Sequence, residues 1–210
     1  IGMGQDKLTY FEPAYVDELA EIMRWGFDHM QADDGGSVYL RLSTRQIPQA
    51  ERSSDSWRKG AIDGAYWQVE PEDGAEIAIA YTGVIAPEAI AALEQLREDV
   101  PGAGLLAVPS PDMAYRDWKA VLDGQETGQG RTLAPAESLL GKLARHASIV
   151  TVIDGSPHTL SWLGSVRGHR TVPLGVEQFG QSGDVASLHR THRLDTDAIL
   201  DACAAAMLAR

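Results

Sequence analysis

The sequence predicts an α/β fold in which a mostly parallel sheet is covered by helices on both faces. Two observations support this prediction. From residue 63 onward, short apolar strands alternate with helical segments, and such strands are typical of parallel sheets that are buried on both faces. Before that point the chain holds only one predicted helix and one predicted strand, which is too little to bury a core of its own.

The first predicted helix covers residues 13–31. Pro13 suits a first helical turn, and Glu12, Asp17 and Glu18 favour the positive end of the helix dipole. Apolar side chains recur every three or four positions along it, which predicts one apolar stripe. The stripe consists of Val16, Leu19, Ala20, Met23, Phe27 and Met30.

A strand is predicted next, at residues 37–42, with Val38, Leu40 and Leu42 on one face. The polar stretch that follows contains a run of serines at residues 53–56, which predicts a surface linker.

The chain is therefore predicted to have three parts. Residues 1–45 form a helix–strand remnant of a first domain, residues 46–62 form a linker, and residues 63–210 form an α/β domain of ordinary size. Trp57 is expected to anchor the far end of the linker. Because the chain opens with Ile1 in what resembles the middle of a fold, we expect it to be a fragment.

The α/β domain is predicted from five strands and five helices. The strands are expected at residues 66–69, 76–81, 105–108, 149–153 and 172–174. The helices are expected at residues 87–98, 114–122, 135–146, 158–166 and 197–208.

Composition excludes several classes of function. The 210 residues carry a net charge of −12, so the phosphate backbone of a nucleic acid would be repelled. No stretch approaches the roughly 20 apolar residues needed to span a bilayer, and we expect no membrane association. The single cysteine, Cys203, cannot form an internal disulfide, which fits a reducing cytoplasm. Its alanine-rich surroundings predict a buried, unreactive thiol.

Few residues have the spacing of a catalytic or metal site. Thr82-Gly83 lies between a strand and a helix, where a tight turn is the simplest interpretation. His189 and His192 are three apart, but no further ligand has a metal-binding spacing to them. Asp154, Ser156 and His158 are too close together for a catalytic triad, and they lack the usual nucleophile elbow. We therefore predict no catalytic, cofactor-binding or metal-binding residue in this chain.

Arg45 is the candidate binding residue. It follows the first predicted strand, and loops at the carboxyl ends of strands in open α/β sheets are where ligands collect. A guanidinium there suits a phosphate through paired hydrogen bonds. The alternative is an exposed linker arginine with no function.

Three stretches resemble enzymes of the transketolase family. The first joins EPAYVDELAEIMRWGFDHM at 12–30 to GSVYLRLSTRQIPQAERS at 36–53. It is similar to the last helix and strand of the family's pyrimidine-binding domain and the exit into the linker. The second, EIAIAYTGVIAPEAIAALEQL at 76–96, is similar to the opening of the family's C-terminal domain. The third, FGQSGDVASLHRTHRLDTDAIL at 179–200, is similar to its Phe-Gly-x-Ser segment and last helix.

The resemblance implies a cytoplasmic, homodimeric transferase that uses thiamine diphosphate and a divalent metal, Mg²⁺ or Ca²⁺, in the full-length protein. It implies transfer of a two-carbon ketol unit between phosphosugars, with this part serving dimerisation and the wall of the substrate funnel. Arg45 matches a family arginine that holds the sugar phosphate. The family's Gly-Asp-Gly cofactor motif is absent here, so the fragment alone is expected to bind no cofactor and to be inactive.

One alternative stays open within the same family. The helix at 13–31 most resembles the homodimeric first component of the bacterial pyruvate dehydrogenase complex. That enzyme decarboxylates a 2-oxo acid, pyruvate, and passes the acetyl group to a lipoyl-bearing partner. Where those enzymes carry an Asn-Glu-Asn-Tyr-His-like run after the strand, this chain has Arg45-Gln46-Ile47-Pro48-Gln49, which favours a phosphosugar instead.

Overall fold

The computed structural model describes residues 3–126, 133–178 and 180–209. The strands are β1 Leu8–Phe11, β2 Ser37–Leu40, β3 Tyr66–Val69, β4 Ala75–Thr82, β5 Gly104–Ala107, β6 Leu143–Ile153 and β7 Arg170–Leu174. The helices are α1 Val16–Gln31, α2 Ser56–Asp63, α3 Ala86–Asp99, α4 Pro111–Glu126, α5 Pro135–Leu140, α6 His158–Ser161, α7 Leu163–Arg167, α8 Val185–His192 and α9 Thr196–Leu208.

The predicted α/β fold class is confirmed. Five strands form one sheet in the order β3-β5-β4-β6-β7, and every neighbouring pair is parallel except β3 with β5. A buried apolar cluster lies on each face of this sheet. One contains Leu93 and Cys203 from α3 and α9, and the other contains Leu140 and Leu163 from α5 and α7. Helices thus cover both faces, as expected for strands that are apolar throughout.

The first part of the chain holds a strand that the sequence did not predict. β1 pairs in parallel with β2, with Leu8 opposite Ser37 and Phe11 opposite Leu40, and within the described residues these two strands form a sheet of their own. β1 has only four residues, and the last three are all buried. It therefore lacks the alternation of polar and apolar residues that identifies a half-buried strand. The domain boundaries at 45 and 62 stay a prediction.

α1 begins three residues later than predicted. The Glu18 carboxylate accepts hydrogen bonds from the backbone N–H groups of Ala14 at 2.7 Å and Tyr15 at 3.1 Å. These bonds satisfy N–H groups just before the helix, so the first turn starts at Val16 and Pro13 lies outside it.

The predicted apolar stripe of α1 is largely exposed to solvent. The exposed fractions of its larger side chains are 65% for Val16, 41% for Met23, 54% for Phe27 and 49% for Met30. The helix instead buries Glu18, Ile22 and Gly26. Periodicity shows that a helix has an apolar face, but it does not show whether the chain itself supplies the surface that covers that face.

Three further predictions differ from the structure. The helix predicted at 135–146 ends at Leu140, because Leu143 pairs with Ala75 and starts a long strand. The helix predicted at 158–166 is two short helices that are separated at Trp162. The last part of the predicted linker folds as α2, with Trp57 buried. In each case tertiary packing overrides a weak local pattern.

Candidate functional site

The sheet has a topological switch point between β4 and β6. The connection through α3 leads from β4 to β5 on one side, and the chain then crosses back to β6 on the other side. In open α/β sheets, ligands bind outside the carboxyl ends of the strands at such a point. Here Val84 follows β4 and Asp154 follows β6, and both line one small cavity of about 100 Å³.

Two side chains from the first part of the chain occupy this crevice. The Glu12 side chain is 2% exposed and accepts hydrogen bonds from the Tyr10 hydroxyl and the Arg41 guanidinium. Arg41 also donates to the backbone carbonyl of Asp154 at 2.7 Å. Burial raises the pKa of Glu12, although Arg41 and Tyr10 oppose that rise. The switch point is therefore filled by the protein's own ion pair.

Gly83 allows this close approach. Its φ of +66° lies in the left-handed region, which residues other than glycine rarely adopt. A Cβ atom there would lie 2.5 Å from Oε1 of Glu12. The predicted Thr82-Gly83 turn is thus a tight turn over which a buried carboxylate packs.

Arg45 lies beside the crevice, in the stretch after β2. Its Nη1 and Nη2 atoms donate to the two carboxylate oxygens of Glu88 at 3.0 Å and 2.6 Å. Nη1 is also 3.4 Å from the carbonyl oxygen of Val84. The Arg45 side chain is 27% exposed, so it is neither a freely solvated linker arginine nor a buried one.

Glu88 lies in the first turn of α3, where the helix dipole favours negative charge. Its Oε1 atom is 3.2 Å from Nδ1 of His189, which is 8% exposed. Burial acts to raise the pKa of Glu88, but hydrogen bonds from His189 and Arg45 outweigh burial and lower that pKa to about 2. Glu88 is therefore an anion at any physiological pH.

A cavity of about 190 Å³ adjoins Arg45. It is bordered by Val16 and Leu19 of α1 and by Ser43 and Ile47 on either side of the arginine. The cavity thus connects a fixed cation with the exposed apolar face of α1. Pockets of this kind, apolar with a few placed polar groups, suit small polar ligands.

The other candidate residues do not assemble into a reactive site. Ser156 and His158 contact each other at 3.1 Å on the surface. The backbone carbonyl of the neighbouring Asp154 accepts a hydrogen bond from Arg41. Burial raises the pKa of the Cys203 thiol to about 12, which supports an unreactive cysteine. Within residues 3–126, 133–178 and 180–209, no three His, Cys, Asp or Glu side chains gather as a metal site.

Sequence reasoning missed three participants in this region. Glu12 was assigned only to the helix start, Arg41 fell within the strand predicted at 37–42 without being singled out, and Glu88 was not singled out either. A signal existed for Glu88, because an acidic residue in the first turn after a Thr-Gly strand end lies at the mouth of the sheet. Nothing local in the sequence distinguishes Glu12, because its charged partner Arg41 is 29 residues away and the Thr82 hydroxyl that approaches its backbone carbonyl is 70 residues away.

The chain shares its fold with transketolases. It superposes on the transketolase of Pichia stipitis with a TM-score of 0.69 and 22% identity, over 97% of this chain and 25% of that one. For the Leishmania mexicana transketolase the TM-score is 0.64 with 17% identity, over 94% and 25% of the two chains. For a split-gene transketolase described as an inactive β4 tetramer it is 0.64 with 16% identity, over 99% and 60%.

These similarities are structural. The sequence matches no protein-family model, and no curated protein matches it significantly. The chain spans about a quarter of the length of the Pichia and Leishmania enzymes. The predicted resemblance is confirmed as a shared fold: the described part of the chain folds like the C-terminal part of a transketolase.

Proposed function

We propose that this chain is the C-terminal section of a thiamine-diphosphate-dependent transferase that moves a two-carbon ketol unit between phosphosugars. The observation that carries the proposal is Arg45, which lies at a cavity in a chain with the transketolase fold. Solved structures with that fold include a Pichia stipitis transketolase in complex with sedoheptulose 7-phosphate. We place the domain boundaries at 1–45, 46–62 and 63–210 under this proposal.

Arg45 is proposed to bind the phosphate group of the sugar. A guanidinium matches the geometry of a phosphate and remains charged at all working pH values. The partly exposed side chain at the edge of a cavity fits a group that must be reached from solvent. The surrounding section of chain then serves as a wall of the substrate funnel.

The described residues do not fit thiamine diphosphate or its metal. No three potential metal ligands come together in the described parts of the chain, and the cavity at the switch point, which Glu12 and Arg41 line, has a volume of only about 100 Å³. The cofactor and a divalent metal, Mg²⁺ or Ca²⁺, are therefore proposed for other parts of the full-length enzyme. We assign no catalytic residue to this chain.

A second role is assembly as a homodimer. Val16, Met23, Phe27 and Met30 expose an apolar face on α1, and contiguous apolar patches of this kind mark protein interfaces. A split-gene transketolase with the same fold is described as a β4 tetramer.

The described helices include none that is long and apolar enough to cross a membrane. A cytoplasmic location is proposed from the single buried cysteine.

The phosphate role is tested by replacing Arg45 with alanine in the intact protein. We expect the KM for xylulose 5-phosphate to rise by roughly 30-fold or more, as for a lost charge-assisted pair of about 2 kcal/mol. The KM for unphosphorylated xylulose should be almost unchanged. An equal rise for both sugars would remove Arg45 from phosphate binding.

Turnover assays on the intact protein separate ketol transfer from pyruvate oxidation. The reported structural neighbours are transketolases, and they do not favour pyruvate oxidation with a lipoyl partner. Turnover of pyruvate with an artificial electron acceptor, without turnover of xylulose 5-phosphate, would contradict the ketol-transfer proposal.

The assembly role is tested by light scattering on the Phe27→Glu variant. A charge in the centre of the apolar face should dissociate the dimer, because an unpaired charge is costly inside an interface. Leu208→Glu is the control, since Leu208 is 87% exposed outside this face and its substitution should leave the dimer intact. A Phe27→Glu variant that remains dimeric would show that the interface is elsewhere.

A further inference from the structure

Glu88 joins two hydrogen-bonding side chains that come from different parts of the chain. Arg45 belongs to residues 41–55, which form no helix or strand in this fully described stretch. His189 belongs to α8, near the end of the chain. Glu88 itself is held in α3, and its carboxylate accepts from Arg45 at 3.0 Å and 2.6 Å and lies 3.2 Å from the His189 ring.

The contact leaves part of the guanidinium available. Glu88 takes the edge formed by Nη1 and Nη2, whereas a guanidinium also presents a second edge through Nε and the other Nη2 hydrogen. Among the described residues, the other acceptor that this side chain contacts is the Val84 carbonyl, through Nη1. An oxyanion in the adjoining cavity can therefore bind the second edge while Glu88 keeps the first.

This arrangement reduces the conformational entropy that an arginine on irregular backbone loses when it binds a ligand. A long side chain on irregular backbone loses rotamer freedom when it is fixed by a ligand, and that loss weakens binding. Glu88 is on a helix with little freedom of its own, because α3 packs on the sheet through Ala89 and Leu93. His189 also restrains the carboxylate, through a contact of its Nδ1 with Oε1 of Glu88. The guanidinium is therefore oriented before any ligand arrives.

We infer that Glu88 is a positioning residue that holds Arg45 in orientation for an oxyanion in the adjoining cavity, and that His189 fixes Glu88. This inference rests on the proposed function, because it takes the oxyanion to be the phosphate group of the substrate. Glu88 does not touch the substrate and is not a catalytic residue. Its contribution is pre-organisation of the arginine.

Glu88→Gln in the intact protein is the first test. The amide keeps the size of the side chain but replaces one acceptor by a donor, so the paired hydrogen bonds to Arg45 are lost. We expect the KM for xylulose 5-phosphate to rise about tenfold, with kcat and the KM for xylulose unchanged. A KM that is unchanged or lower would overturn the inference, since a lower value would mean that Glu88 competes with the phosphate for Arg45.

A double-mutant cycle isolates the pair. If Glu88 acts only through Arg45, adding Glu88→Gln to Arg45→Ala should raise the KM no further than Arg45→Ala alone. Fully additive effects would show that Glu88 acts by another route and would overturn the inference. Urea unfolding of each variant accompanies the kinetics, so that a general loss of folding is recognised.

His189 supplies a graded control. His189→Asn keeps an N–H donor close to the position of Nδ1 and should retain a KM near that of the unaltered protein. His189→Leu removes the donor and should raise the KM about threefold for the phosphorylated sugar only. Identical KM values for these two variants would remove His189 from the inference.

The outcomes separate this inference from the proposal on which it rests. If Arg45→Ala has no selective effect on the phosphorylated sugar, both are wrong. If Arg45→Ala is selective while Glu88→Gln has no effect, the proposed function stands and only the positioning role of Glu88 is wrong.

Discussion

Arg45 and Arg52 lie seven residues apart in the same irregular segment, and their surroundings differ. Arg52 donates to both carboxylate oxygens of Asp17 at 2.7 Å and 3.0 Å and to the Tyr66 hydroxyl at 2.8 Å. Three aromatic rings surround its guanidinium, at 5.1 Å for Tyr15, 4.2 Å for Trp57 and 5.5 Å for Tyr66. Arg45 contacts one carboxylate, that of Glu88, and borders a cavity.

The difference shows how one residue type takes structural or binding roles. The Arg52 guanidinium bonds to Asp17 of α1 and to Tyr66 of β3 and lies over the ring of Trp57 of α2, so it joins these three elements into one packed unit. It also lies 4.0 Å from Glu18, whose carboxylate is fully buried and receives the Tyr66 hydroxyl at 2.6 Å. Arg45 instead borders a cavity, and its side-chain bonds within the described residues go only to Glu88 and the Val84 carbonyl.

Arg52→Ala should have the largest effect on stability. It removes the paired bonds to Asp17 and the cation over three rings, and it leaves the buried Glu18 without its nearest positive charge. We expect a loss of about 3 kcal/mol or more in the free energy of unfolding, measured by urea denaturation.

Arg45→Ala is the matched control, because it removes the same side chain from the same segment. Its pair with Glu88 is partly exposed, so the expected loss is about 1 kcal/mol. Arg52→Lys should fall between the two, since an ammonium cannot form the paired contact. Equal losses for Arg45→Ala and Arg52→Ala would end the distinction between the two arginines.

Gly83→Ala should cause the next largest loss in the free energy of unfolding. Gly83 lies in the turn that contains Val84 and leads to Glu88. The new Cβ would meet the Glu12 carboxylate at 2.5 Å at a residue with a φ of +66°, and we expect a loss of about 2 kcal/mol. Gly74→Ala is the control, because Gly74 has a φ of +82° but no atom within 4 Å of its Cβ position. Backbone strain alone should cost it about 1 kcal/mol. Thermal unfolding of both variants gives the comparison.

The smallest effect is a pH dependence at Glu88. Its pKa of about 2 in the folded protein is below the ordinary value of 4.5, so the ionised carboxylate stabilises the fold above pH 4.5 and this contribution is lost as the pH falls toward 2. The difference in unfolding free energy between the unaltered protein and Glu88→Gln should be about 1 kcal/mol at neutral pH, because the pair is partly exposed to solvent. It should shrink steadily below pH 4.5. A difference that does not change with pH would mean that the pair contributes no charge-dependent stability.

Much of the main sheet was predictable from sequence, because its strands are short apolar runs between helices. β4 and α3 follow the expected positions within one residue. β6 was harder, since the arginine and histidine at 145 and 146 are exposed at the start of a long strand and resemble the end of a helix. Only the pairing of Leu143 with Ala75 assigns them to the sheet.

The candidate site was predictable only in part. Arg45 was identified from its place after a strand and from a resemblance, but its partner Glu88 is 43 residues away. The ion pair of Glu12 with Arg41 depends on β1, a strand without a periodic signal. Contacts between distant positions are set by how the elements pack, and local patterns do not encode that packing.

The ion pair at the switch point has a consequence for how the molecule unfolds. Glu12 and Arg41 are held by the ends of β4, β5 and β6: the Glu12 amide donates to the Pro109 carbonyl at 2.7 Å, and Arg41 donates to the Asp154 carbonyl. Detaching the first fifty residues would leave buried polar groups without partners on both sides of the contact. The small β1–β2 sheet and the large sheet should therefore melt as one cooperative unit, although no strand among the described residues belongs to both.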